Sequence, residues 1–213
     1  MKTLARILVL VAALVGVAAI AGGAWLLKDG IGTRSAPGAI ETAVARRLRS
    51  LAIPREARER RNPEPATPES LRDGLEHFAD HCAVCHANDG RGDTEIGRGL
   101  YPRVPDMRLP ATQQLTDGEL FYIIEHGVKL TGMPAWGTGT AAGERASWHL
   151  VQFIRHLPDL TPEELEIMRE LNPKSAGEWR EEEEMRRFLA GEGEAPAAEP
   201  RQPSHDQHGG SKR

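Results

Sequence analysis

The chain has 213 residues, of which 39% are hydrophobic and only 5% aromatic, with 22 glycines and 15 prolines. That composition allows one domain of ordinary size with extensions, and its scarcity of aromatic mass leaves room for a prosthetic group in the core. A formal net charge of −4 and a pI near 6.1 exclude the basic surplus expected of a nucleic-acid-binding protein.

The chain opens with "MKTLARILVLVAALVGVAAIAGGAWLLKDG", uncharged from Ile7 to Leu27. At about 1.5 Å rise per residue this run spans roughly 31 Å, the thickness of a bilayer's hydrocarbon core. Lys2 and Arg6 make a basic start, and Ala19-Ile20-Ala21 resembles a cleavage site, so a signal peptide is the alternative. The length of the run, with Trp25 and Lys28 as interfacial anchors, favours a transmembrane anchor over residues 4–27. Residues 28–66, with "ARRLRS" and "REARERRNPEPATP", read as a charged, proline-rich, solvated tether in which Ala43 to Leu51 could form a short amphipathic helix.

Thr67-Pro68-Glu69 is a helix start: a hydroxyl cap, proline in the first turn and an early acid. The helix it opens places Leu71, Leu75, Phe78, Ala79 and Cys82 on one face. A Gly- and Pro-rich stretch follows from Asn88 to Ala111, a loop long enough to need something to wrap around. Thr116-Asp117-Gly118-Glu119 is a capping box, opening a short helix with Leu120, Ile123 and Ile124 on one face and a stop at Gly127. The irregular "KLTGMPAWG" leads to a helix from about Gly143 to Leu157. No stretch alternates as a strand, which predicts an all-α domain over residues 67–158. A second capping box at Thr161-Pro162-Glu163-Glu164 and the run "EWREEEEMRRFLAG" predict a helical C-terminal extension over 159–190. Residues 191–213 are expected to be disordered, with His205 and His208 solvated and not part of a metal site.

The only two cysteines lie in "HCAVCHANDG". A redox dithiol needs its CxxC at a helix N-terminus after a strand, whereas this pair follows a helix. Zinc would take Cys82, Cys85 and His86 but lacks a fourth ligand at finger spacing among His126, His149 and His156. Covalent haem c attachment uses every residue present: two thiols for thioethers to the vinyl groups, and His86 as an axial ligand. Bacterial haem attachment occurs outside the cytoplasmic membrane, which fits a membrane-anchored chain with its C-terminal domain in the periplasm. The basic residues flanking the span, Lys2 and Arg6 against Lys28 and Arg34, do not set that orientation, and Arg46, Arg47 and Arg49 further on argue for the reverse.

On "GLEHF", the CxxCH, "DGRGD", "TGMPAW" and the closing helix with Trp148, residues 67–158 resemble the single-haem class I cytochromes c, including domains associated with respiratory complexes. The resemblance implies one haem c, an all-α cytochrome c fold, and terminal helices crossing with Gly74 and Phe78 against Trp148 and Val151. It points to Met133 as the ligand opposite His86, so the iron is held by His86 and Met133. A thioether favours the ferrous state and raises the potential, as suits an electron carrier. Met107 is the runner-up; His126 reads as a helix-end partner, and His149 and His156 as residues of the solvated side of the last helix. The carbonyl of Pro102 or Pro105 is a candidate to orient His86 through Nδ1, and Tyr101, Arg103 and Arg108 are candidates for contacting haem propionates.

With both axial positions filled, the expected function is electron transfer between redox donor and acceptor proteins of a membrane chain, without enzymatic turnover. The alternatives are a haem subunit fixed in a larger respiratory or dehydrogenase complex, with 161–190 as a docking arm, and a haem-based sensor or peroxidase.

Overall fold

The structure is a computed structural model and describes residues 2–27, 32–174 and 176–191. Lys28, the side chain of Trp25 and the tail histidines His205 and His208 lie outside what it describes, as does the expected disorder beyond Gly191. Among the described residues every regular element is helical.

Helix α1 (Lys2–Leu27) contains Lys2–Ala24, whose mean hydropathy of 2.6 makes it long and apolar enough to cross a membrane once. Helices α2 (Ala39–Ala52) and α3 (Arg55–Glu59) follow. From Ile53 to Pro65 the chain is not the solvated tether expected over 28–66. Ile53 is only 3% exposed. Thr116 Oγ1 donates to the Arg58 carbonyl at 2.9 Å, and the Arg60 guanidinium lies 4.4 Å from the Phe121 ring centroid and 5.3 Å from that of Trp148. Asn62 Nδ2 donates to the Trp148 carbonyl at 3.0 Å, and Gln152 Nε2 to the Glu64 carbonyl at 3.0 Å. Composition misled here because a planar guanidinium that stacks on aromatic faces counts as solvated charge in a sequence.

Helix α4 (Pro68–His77) begins at Thr67, whose side chain accepts from the Ser70 N–H at 3.1 Å while Thr67 N–H donates back to Ser70 Oγ at 3.0 Å. It runs into a π-helical turn, Phe78–Cys82, then α5 (Ala83–His86). Two single turns follow, α6 (Glu95–Gly99) and α7 (Pro110–Gln113), then α8 (Asp117–His126) with both halves of its capping box formed, and α9 (Ala141–His156).

The core is the crossing of α4 with α9, closed by α8. A Cβ at Gly74 would lie 2.3 Å from the His149 carbonyl oxygen, so only glycine lets the two helices approach this closely. At this crossing Phe78 faces Phe153 at 5.1 Å, and Trp148 stacks on Phe121 at 4.1 Å. Helix α10 (Pro162–Leu171) is no separate arm, since Met168 is fully buried in the same core and Glu164 joins His156 at 2.9 Å. Helix α11 (Ala176–Leu189) belongs to a second unit starting at Pro173; Lys174 pairs with Glu182, and its ammonium lies 5.4 Å from the Trp179 ring.

Candidate haem-binding site

The π-helical turn decides where the first cysteine points. The Ala83 N–H donates to the Phe78 carbonyl five residues back, which puts one extra residue into the turn. Phe78 and Ala79 stay buried, and Cys82 reaches a cavity. After α5 the chain reverses through Ala87, with φ of 60°. Gly92 N–H donates to the His86 carbonyl at 2.7 Å, and Thr94 Oγ1 donates to the Cys85 carbonyl at 3.1 Å. The end of the CxxCH segment is therefore clamped by the "DGRGD" turn.

The cavity is lined by Cys82, His86, Met107 and Met133, with Phe78, Ile124, Trp136, Leu150 and Ile154 between them. Three of the four residues expected to bind haem, Cys82, His86 and Met133, thus meet at one apolar surface from segments far apart in sequence. The fourth, Cys85, lies one turn on, partly exposed and outside the lining. Trp136 escaped the sequence analysis as a site residue, although it stands three positions after Met133; its ring also meets His81 edge-on at 5.6 Å.

Burial pushes the Cys82 thiol up to about 12, with the neighbouring Cys85 adding to it, and burial raises Cys85 as well. These are protonated thiols, opposite in character to the stabilised thiolate of a redox dithiol. Burial pushes His86 down to about 4, so its imidazole is neutral and available as a ligand at physiological pH. Among the described residues no group of three or more His, Cys, Asp or Glu side chains is placed to hold a metal ion. A neutral buried imidazole, one thiol and two thioethers around an apolar cleft, with the second thiol one turn on, fit a haem c and do not fit a hard cation.

His86 Nδ1 is buried without a hydrogen-bond partner, so the expected carbonyl of Pro102 or Pro105 does not serve it. The loop carrying these prolines is fastened to the preceding turn instead, with Val104 N–H on the Gly97 carbonyl at 3.5 Å and Met107 N–H on the Gly90 carbonyl at 2.8 Å. Tyr101, Arg103 and Arg108 already have protein partners. The Tyr101 hydroxyl donates to Glu41, and Arg103 Nη2 donates to the Arg34 carbonyl at 3.2 Å. Arg108 grips Asp106 through Nε at 3.0 Å and Nη2 at 2.7 Å, and these bonds hold the Asp106 carboxyl below its usual range.

The two methionines of the cavity are held differently. Met107 packs against the hydrophobic core, and its carbonyl accepts from Gln113 Nε2 at 2.8 Å, a group that also donates to the Ile154 carbonyl at 2.8 Å. Met133 stands outside that core, on a loop pinned at both ends to the last turn of α8. Val128 N–H donates to the Met133 carbonyl at 3.1 Å, Met133 N–H donates to Thr131 Oγ1 at 3.1 Å, and Trp136 N–H donates to the Ile124 carbonyl at 3.0 Å. Gly127 ends α8 with φ of 65°, and a Cβ there would lie 2.7 Å from the Met133 carbonyl oxygen. His126 is a helix-end group, its Nδ1 3.1 Å from the Tyr122 carbonyl oxygen. His149 and His156 are not on a solvated face: His149 lies 3.4 Å from Asp73 with its side chain 12% exposed, and His156 is tied to Glu164. Both are drawn inward because α4 and α10 cover the side of α9 that its sequence leaves polar.

Residues 69–154 match the family model described as cytochrome c oxidase, cbb3-type, subunit III. No curated protein matches the chain.

Proposed function

We propose that this chain, whose residues 69–154 form a single-haem c-type cytochrome domain behind a membrane-anchoring helix, is an electron carrier between redox proteins of a membrane chain at the periplasmic face of a bacterial cytoplasmic membrane. Haem c supplies a one-electron iron couple. Cys82 and Cys85 would hold it through thioethers, and His86 and Met133 would hold its iron. The observation that carries this reading is the convergence of Cys82, His86 and Met133 on one apolar cavity.

The protein's own part is to fix and shield the ligands. Burial keeps His86 neutral, and the clamp on the Cys85 and His86 carbonyls fixes the turn that bears them. The loop from Gly127 to Trp136 brings a neutral, soft thioether that favours the ferrous state. Apolar walls from Phe78, Ile124, Leu150 and Ile154 keep water away. With His86 and Met133 both holding the iron, no coordination site would be left for a substrate, and the chain would transfer electrons without bond chemistry.

Replacing Cys82 and Cys85 together by alanine should abolish haem that survives denaturing electrophoresis, and haem staining that persists in the double variant would refute the proposal. Carbon monoxide should not bind the reduced wild type; binding would favour the sensor or peroxidase reading. A second reading, a haem subunit fixed in a larger redox complex, is favoured by the description of the matching family, which names an oxidase subunit. Gentle detergent extraction separates the two, yielding a lone protein or a stable complex.

A further inference from the structure

Helix α2 is amphipathic in the wrong sense for a helix of a water-soluble domain. Such a helix turns its apolar stripe to the core. Here the partly buried side chains are polar ones, Thr42, Arg49 and Ser50. Glu41 takes the Tyr101 hydroxyl, and Arg49 lies near enough to Glu119 to feel its charge. The apolar residues face outward, Ile40 76% exposed, Val44 51%, Leu48 60% and Leu51 61%. At 3.6 residues per turn these four fall within an arc of about 80°, with Arg47 on its margin. One residue after the helix, Ile53 is buried and the chain is bonded to α8 and α9, so α2 is fixed to the domain and cannot fold its stripe inward.

We propose that the stripe Ile40, Val44, Leu48 and Leu51 lies in the headgroup region of the same membrane that α1 crosses, so that α2 seats the cytochrome domain on the bilayer. Continuity carries the choice of occupant. Residues 28–38 separate the two helices, and at about 3.3–3.6 Å each they reach at most roughly 40 Å, so α2 starts within range of the surface whatever their conformation. Charge supports it: Arg47, exposed at the edge of the stripe, is placed to extend its guanidinium to anionic headgroups, while Arg46 lies on the opposite side of the helix. A lone interfacial helix binds reversibly, but beside a membrane-spanning anchor it adds orientation.

The inference rests on the membrane anchoring of α1, and the test separates the two. The full-length holoprotein, its two native cysteines consumed by haem, is reconstituted in vesicles of phosphatidylcholine and phosphatidylglycerol with a single new cysteine at V44C, L48C or R46C. Flotation with the vesicles checks the anchor; failure to float overturns the anchoring and not the seating of α2. In floated protein, a charged maleimide should react several-fold more slowly at positions 44 and 48 than at 46, and a benzophenone attached at position 44 should crosslink to lipid. Adding Leu48→Glu to the V44C variant should raise its rate towards that at 46 with the haem spectrum unchanged. Equal rates at all three positions would overturn the proposal, as would slow labelling accompanied by a crosslink to a second copy of the chain.

Discussion

Met133 and Met107 line one cavity, and replacing each by alanine separates ligation from packing. Met107 is packed against the core but only half-buried, so its loss should cost about 1–2 kcal/mol, below the roughly 2–5 kcal/mol of a fully buried methionine. At roughly 4 °C per kcal/mol for a unit of this size, the melting midpoint falls by about 4–8 °C. Its oxidised spectrum should keep the weak near-infrared band of sulfur ligation. Met133 stands outside the core, so Met133→Ala should remove little packing but should abolish that band, with the thioether-bound haem retained. Axial ligands set haem potentials over about 0.8 V, and losing the soft thioether should lower the midpoint potential by a sizeable part of that range. The reduced variant should then bind carbon monoxide. Near-infrared spectroscopy, a redox titration and a thermal melt on the three proteins check this. A band that survives Met133→Ala and disappears in Met107→Ala would exchange the two roles, and a wild type lacking the band would refute sulfur ligation altogether.

Gly74→Ala should lower stability by about 1–3 kcal/mol through overpacking, because the new Cβ meets a backbone carbonyl that cannot move alone; an unchanged thermal midpoint would contradict the α4–α9 crossing. Ile53→Ala, outside the cytochrome match, should cost about 2–3 kcal/mol on thermal unfolding, where a solvated tether would show no change. Burial opposes ionisation of Glu164, but the Thr161 N–H and His156 together outweigh it and leave its pKa below the ordinary 4.5. A depressed carboxylate contributes stability that is present above that ordinary value and lost as pH falls through the folded-state pKa, so denaturant melts should weaken below about pH 4.5 and Glu164→Gln should flatten that acid limb.

Local signals carried much of the fold. The caps at Thr67, Thr116 and Thr161 are satisfied within three residues, so the sequence holds everything that forms them. The CxxCH stood out for a different reason, because its spacing is that of covalent haem attachment, whereas Met133 was reached only through the resemblance to class I cytochromes c; the structure brings Cys82, His86 and Met133 to one cavity. What stayed hidden depends on distant partners. The π-helical turn at Phe78–Cys82 has no sequence mark, because an extra residue in a turn is tolerated when the neighbouring packing stabilises it. Arg60, Asn62 and Met168 read as linker or extension residues, and only the assembled α8–α9 surface gives the first two a place and the core a place for the third.

The packing of Ile53 to Pro65 also changes how far the cytochrome domain can travel from its anchor. As a flexible coil, the 39 residues of 28–66 would have a root-mean-square reach of roughly 35 Å. With α2 and α3 helical and Ile53 buried, the connecting chain shrinks to the eleven residues 28–38, which reach at most roughly 40 Å whatever their conformation. Arg34 is itself engaged by Arg103, which shortens the free part further. A shorter connection raises the effective concentration of any partner fixed in the same bilayer near the anchor and excludes partners whose docking surface stands far above it. On the proposed electron-carrier reading the short connection favours membrane-embedded partners, and lengthening it between residues 28 and 38 with a glycine–serine insert should slow electron exchange with them while leaving the haem spectrum and the midpoint potential unchanged. An exchange rate indifferent to the insert would show that the domain reaches its partners by a route that the anchor does not constrain.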